Sequence, residues 1–124
     1  MNISLNTDFI IEEVSTVLLE KICISSSELI GLNFLNCLHN NVPEAYVEKF
    51  IQSSKLGIDG NYIFQLHINN QDFWFLTIVN VIQNTAKDRF FKLGFFVLDG
   101  LSLKNAKAVY EIEKFNKLIA EALV

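Results

Sequence analysis

Three strand-like segments follow one another in the second half of the chain and limit the folds that it can adopt. Residues 61–68, 73–82 and 90–98 are apolar at almost every position. Both faces of such a sheet have to be covered, because apolar surface left in water costs free energy in proportion to its area. Short polar connections join the segments, so we expect a three-stranded antiparallel meander.

Helical patterns lie on both sides of these strands. Apolar residues recur at helical spacing over residues 7–22, a capping sequence predicts a second helix from Ser25, and Pro43 suits the first position of a third. Ser102 predicts the start of a long final helix. A chain of 124 residues fits a single domain, 1–124. The predicted fold class is α+β, with three N-terminal helices, a three-stranded antiparallel β-meander and a long C-terminal helix packed on the sheet.

Composition and charge exclude several classes of function. The chain is 51% hydrophobic and 19% charged, which excludes intrinsic disorder. Its net charge is −4 and Arg89 is its single arginine, so it lacks the cluster of cations that nucleic-acid binding needs. The longest apolar run is well short of the roughly 18 residues that a membrane span needs. We therefore expect neither nucleic acid nor membrane as a partner.

The cysteines and the N-terminus bear on the cellular compartment. Residues Met1 to Leu5 show neither the basic segment nor the cleavage site of a secretory signal peptide. Cys23 and Cys37 stand among apolar residues, as small buried hydrophobic side chains do. We therefore expect two reduced thiols in the core of a cytoplasmic protein.

The titratable residues do not follow the spacing of a known catalytic or metal site. Cys37 and His39 are close in sequence, but the chain has no C-x-x-C or H-x-x-x-H pattern. His67 alternates with Gln65 on the more polar face of the first strand, without a partner that the sequence identifies. The sequence predicts no catalytic residue, no metal, no cofactor and no enzyme. A deep pocket that holds His39 or His67 beside a carboxylate would favour an enzyme with a dispersed active site.

A small acidic domain without catalytic residues is typical of proteins that act by binding another protein. We expect a non-enzymatic inhibitor, namely a bacterial immunity protein that neutralises a cognate toxin domain. Nuclease-type toxins have basic sites, which an acidic surface complements. The candidate partner-binding residues are the acidic side chains of the predicted first and third helices and of two loops: Glu12, Glu13, Glu20, Glu44, Glu48, Asp72 and Asp88.

The alternative is a homodimeric secretion chaperone that binds an extended segment of an effector. Such a chaperone is an obligate dimer with large exposed apolar patches, whereas an inhibitor can be a monomer with a charged patch. The sequence leaves monomer and homodimer open. Trp74 is expected in the core, with a place in a binding interface as its alternative.

Overall fold

The structure is a computed structural model that describes residues 1–83 and 88–123. Within these residues the chain forms five strands, four α-helices and one 3-10 turn. The elements in chain order are β1 (Asn2–Leu5), β2 (Ile11–Val14), α1 (Thr16–Ile22), α2 (Ser26–Leu29), the 3-10 turn (Phe34–Cys37), α3 (Glu44–Lys55), β3 (Gly60–Ile68), β4 (Gln71–Gln83), β5 (Arg89–Val97) and α4 (Gly100–Ala122).

The strands form one antiparallel sheet in the order β2-β1-β5-β4-β3. The meander of β3, β4 and β5 makes one side of this sheet. The N-terminal hairpin adds to the other side, where β1 pairs with β5 so that Ile3 lies opposite Leu93. The predicted three-stranded sheet with three N-terminal helices is therefore wrong. The pairing that completes the sheet joins residues almost a whole chain apart, so no local pattern records it.

Residues 7–22, predicted as one helix, contain a turn, a strand and a short helix. Strand β2 has four residues, too few to show an alternating pattern against the helical spacing that continues into α1. The actual helix start is marked by Ser15, whose hydroxyl accepts hydrogen bonds from the N–H groups of Leu18 (3.4 Å) and Asn2 (2.9 Å). The Ser15 side chain thus caps the N-terminus of α1 and also forms a hydrogen bond with the first residue of β1.

The predicted second helix is interrupted after one turn. Helix α2 ends at Leu29, and Gly31 then takes a φ of +93°, which only glycine adopts without strain. The chain continues as the 3-10 turn Phe34–Cys37. Helix α3 begins directly after Pro43 and is followed by Gly57 at a φ of +79°.

Aromatic rings fill the space between the helices and the inner face of the sheet. Phe50 of α3 is fully buried, and its ring lies 5.3 to 6.0 Å from the rings of Phe9, Phe34, Tyr62 and Phe64. These edge-to-face contacts add to the free energy gained by burying the rings. The segment that follows the 3-10 turn lies along the outer edge of β3, where Leu38 forms an isolated β-bridge with Leu66.

The outer face of the sheet is only partly covered. Trp74 lies there, half-buried, with its ring 4.7 Å from that of Tyr110 on α4. Trp74 is therefore a contact of α4, and it lies partly buried against the core cluster, of which Tyr110 is a member. Among the described residues, no helix is long and apolar enough to cross a membrane.

Candidate functional site

The interior beneath α1, α2 and the 3-10 turn is the first candidate site. A cavity of about 10 Å³ lies between these helices and the sheet. This volume is near the minimum for one water molecule, and drug-sized ligands occupy pockets of about 300–1,000 Å³. The lining is apolar apart from one thiol, and it consists of Ile3, Ile11, Leu18, Ile22, Leu29, Phe34, Cys37, Leu66, Ile68 and Phe95.

The thiol in this lining is chemically quiet. Burial raises the pKa of Cys37 to about 11, because the thiolate would lose its hydration. Its Sγ donates to the backbone oxygen of Asn33 at 3.9 Å. Cys23, also free, is exposed at the end of α1 with a φ of +58°, so its predicted place in the core is wrong. A helix end requires a residue there that tolerates the left-handed conformation, which the apolar pattern does not show.

The contact between α4 and the edge strand β3 is the second candidate. The Tyr110 hydroxyl accepts from the N–H of Gln65 at 3.0 Å and donates to the oxygen of Ile63 at 2.6 Å. Burial raises the pKa of Tyr110 far above its ordinary value, against the lowering effect of the Gln65 hydrogen bond. The phenol therefore keeps its proton and can always donate to β3.

Beyond Tyr110 the helix leaves the body of the domain. Residues Ala106 and Tyr110 are the buried residues of α4. Two contacts of exposed side chains follow, Lys114 to Asn41 (3.4 Å) and Lys117 to Glu44 (3.3 Å), and such contacts contribute little to stability. The α4 stripe is a set of apolar side chains that recur at helical spacing and are 43% to 82% exposed: Ile112, Phe115, Leu118, Ile119 and Leu123.

A cluster of two histidines and a carboxylate is the third candidate. His67 Nδ1 lies 2.6 Å from Asp72 Oδ1, and the ring of His39 lies 5.6 Å from that of His67. The side chains of His67 and Asp72 are 48% and 46% exposed. A histidine does lie beside a carboxylate, as a dispersed active site would need, but on the surface and outside a deep pocket.

The acidic residues predicted to bind a partner are all exposed, and they lie in separate places. Glu12 and Glu13 are on β2, where they share a groove of about 610 Å³ with Asp88 and Arg89. Glu44 and Glu48 are on α3 beside the lysines of α4. Asp72 belongs to the histidine cluster, and Glu20 lies on α1.

Sequence reasoning missed Tyr110, because the apolar pattern of the final helix favours residues such as Ile112 and Phe115, which are exposed. A tyrosine within that pattern was the available signal, since a buried phenol needs a hydrogen-bond partner. The histidine cluster was missed because its members come from two separate segments.

Comparisons with known proteins identify the fold. No family model matches the chain, and no curated protein matches its sequence. The light-state structure of the blue-light photoreceptor Aureochrome1 LOV superposes with a TM-score of 0.74 and 14% identity, over 91% of this chain and 90% of that one. The PAS-B domain of Drosophila melanogaster Cycle with bound ethylene glycol gives 0.67 and 12%, over 77% and 97%. The N-terminal domain of a diguanylate cyclase with PAS/PAC sensor from Marinobacter aquaeolei gives 0.63 and 17%, over 84% and 96%.

The chain therefore has a PAS/LOV-like fold, a five-stranded antiparallel sheet with a C-terminal helix. Its structural neighbours include a domain of a photoreceptor and a domain of a PAS/PAC sensor protein, which points away from both functions predicted from the sequence, the immunity protein and the secretion chaperone. Those predictions rested on small size, acidity and the lack of a catalytic pattern. Many unrelated classes share these properties, so they do not single out one of them.

Proposed function

We propose that the chain is a signal-sensing domain and that helix α4 carries its output to a protein partner. The sensor domains among its structural neighbours support the sensing role by analogy of fold. The observation that carries the proposal is the pair of hydrogen bonds by which Tyr110 holds α4 on β3. Burial of Ala106 and of the Tyr110 ring beside Trp74 also holds the helix, whereas the contacts that follow Tyr110 are between exposed side chains.

Strand β3 connects the interior to α4. Gln65 and Ile63 present their backbone groups to Tyr110, while the side chain of Leu66, next in sequence, lines the internal cavity. Successive side chains of a strand point to opposite faces, so a shift of β3 that begins in the interior also moves the groups that hold Tyr110. A signal that favours one position of β3 would thereby shift α4 between a docked and an undocked state.

The input differs from that of a light receptor. Amino-acid side chains do not absorb blue light, so such a receptor requires a bound chromophore. The cavity here has about 10 Å³, and its apolar lining offers no polar group to orient a ring system beyond the Cys37 thiol. The residues that line this cavity do not fit a chromophore. We infer an input that changes the packing of the domain, such as contact with another protein.

The output surface is the α4 stripe. An exposed apolar row of helical spacing is the kind of surface that docks in a groove or against another helix. We therefore propose that this chain binds a protein partner. We also propose that the chain itself is not an enzyme. Its two free cysteines support a cytoplasmic location, since thiols stay reduced there.

Tyr110→Phe tests the proposal by removing both hydrogen bonds to β3 and keeping the ring. Two neutral hydrogen bonds contribute about 0.5–1.5 kcal/mol each, so the undocked population of α4 should rise roughly fivefold to 150-fold. Hydrogen exchange followed by mass spectrometry should show faster exchange in residues 103–113 and unchanged exchange in β4. Amide NMR shifts of α4 should move along the line that joins the docked and undocked states.

Tyr46→Phe is the matched control. Tyr46 lies on α3 with its ring 6.1 Å from that of Tyr110, and its hydroxyl makes neither of the hydrogen bonds to β3. This variant should leave α4 as it is in the natural chain. A helix α4 that exchanges no faster in Tyr110→Phe than in Tyr46→Phe would contradict the proposal, because the output would then not depend on this contact.

A further inference from the structure

We propose that His39, His67 and Asp72 form a binding site for a divalent transition-metal ion. Each residue offers a ligand atom, and the three atoms lie within 4.8 Å of one another. The chain has two histidines in all, and folding brings both to the same carboxylate. This inference stands apart from the proposed output through α4.

The backbone holds the three residues in place. His67 and Asp72 are directly opposite each other in the β3–β4 hairpin, so their side chains share the outer face of the sheet. His39 is fixed to the same strand, because its N–H donates to the oxygen of Gln65 at 2.8 Å and its neighbour Leu38 forms a bridge with Leu66. Ligands that are carried by paired strands need little rearrangement to bind.

The separations suit a metal ion after a small adjustment. Bonds of about 2.0–2.2 Å place the ligand atoms of a tetrahedral ion about 3.3 Å apart. His67 Nδ1 and Asp72 Oδ1 are now 2.6 Å apart, as a hydrogen-bonded pair, and the widest spacing of the cluster is at most 4.8 Å. The distance between His67 Nδ1 and Asp72 Oδ1 has to lengthen, and the widest spacing of the cluster has to shorten. Both changes require rotation of side chains, and those of His67 and Asp72 are about half exposed.

Two hydrogen bonds compete with the ion. The hydrogen atom between His67 Nδ1 and Asp72 Oδ1 must move before both atoms can act as ligands, and a neutral imidazole allows this by carrying its proton on Nε2 instead. His39 Nδ1 accepts from the N–H of Asn41 at 2.9 Å, which places the proton of the neutral ring on Nε2. Ligation by His39 therefore breaks the Asn41 hydrogen bond.

The ligand set indicates the class of ion. Imidazole nitrogens favour zinc, copper, nickel and iron, whereas magnesium and calcium prefer oxygen ligands alone. Two imidazoles and one carboxylate leave at least one position of the ion for water. We therefore expect Zn²⁺ and Co²⁺ to bind and Mg²⁺ not to compete with them.

Titration calorimetry with ZnCl₂ tests the site. The protein used carries no histidine tag and has been treated with a chelator to remove bound metal. We expect one ion per chain, and visible absorption bands when Co²⁺ is used. His39→Gln, His67→Gln and Asp72→Asn should each weaken binding by about tenfold or more. NMR of the natural chain should show shifts of both imidazole rings, a result that does not depend on any variant folding.

Cys23→Ser and Glu121→Gln are the controls, since they alter an exposed thiol and an exposed carboxylate outside the cluster. Both should bind zinc as the natural chain does. The proposal is overturned if the natural chain binds no zinc, if Cys23→Ser abolishes binding, or if His39→Gln binds as tightly as the natural chain. Release of α4 can be normal in all these cases, so the result leaves the proposed function to its own test.

Discussion

Cys37 and Tyr110 are titratable side chains that lose their water when the chain folds. Neither has a charged partner within the described structure that would offset this loss, and in both cases burial is the main cause of the raised pKa. Folding therefore favours the neutral form of each side chain. Cys37 fills space among apolar residues of the cavity lining, whereas Tyr110 uses its proton to attach a helix.

The raised pKa of Cys37 makes stability depend on alkaline pH. Its folded pKa of about 11 exceeds the ordinary value of 9.0, so its contribution is fully present below pH 9 and is lost as the pH rises toward 11. A difference of this size corresponds to about 2–3 kcal/mol. Urea unfolding between pH 8 and about pH 11 should show a shallower loss of stability in Cys37→Ala than in the natural chain.

The matched control for this pH dependence is Cys23→Ala, because Cys23 is free and exposed. Its pH profile should equal that of the natural chain. Identical profiles for Cys37→Ala and the natural chain would contradict the assignment, since another group would then cause the alkaline loss.

At the scale of elements, the segment between α2 and the 3-10 turn shows how one residue ends a helix. The apolar positions from Leu29 to Leu38 continue a helical pattern, yet Gly31 reverses the chain after a single turn. The result places Phe34 and Cys37 against the sheet, where they line the cavity. In a continuous helix, the side chains of Phe34 and Cys37 would lie at different positions along the helix axis.

Gly31→Ala should destabilise the domain by about 1–2 kcal/mol, because a β-carbon is unfavourable in the left-handed region. No atom of the described residues lies within 4 Å of the added β-carbon, so the effect comes from the backbone angle alone. Gly94 in β5 offers the same free space without a positive φ, and Gly94→Ala should be neutral or slightly stabilising. Thermal unfolding compares the two variants, and equal effects would show that Gly31 is not held in this conformation.

For the whole molecule, the sheet is completed by pairing between the first strand in the chain, β1, and the last, β5. Strand β1 lies between β2 and β5, and its residues Ile3 and Leu5 are buried. The C-terminal half of α4, by contrast, has exposed side chains at every described position from Lys114 to Leu123. The N-terminus therefore belongs to the core, and the end of α4 belongs to the surface that we propose for binding.

Two truncations should separate these roles. Ending the chain before Lys114 removes exposed contacts worth about 0–1 kcal/mol each, so the midpoint of thermal unfolding should fall by only a few degrees. Removing residues 1–5 exposes β5 and deletes two buried side chains, so cooperative unfolding should be lost. Circular dichroism during heating measures both. A large loss on the C-terminal truncation would show that the end of α4 stabilises the fold.

The amino-acid sequence by itself determined those elements whose signal is local. Long apolar runs place strands in the regions of β3, β4 and β5, and Pro43 precedes α3. The final helix is predicted to start at Ser102, whereas α4 begins at Gly100 after the N-cap Asp99, whose N–H donates to the Ser102 Oγ. Tertiary structure decided the rest. Strands β1 and β2 have four residues each and gain their stability from β5, a partner far away in the chain. The meeting of His39 with His67 and Asp72, and of Tyr110 with β3, depends on which groups lie at the free edge of the sheet. Pairing of distant segments sets that edge, and the spacing of residues along a single segment carries no record of it.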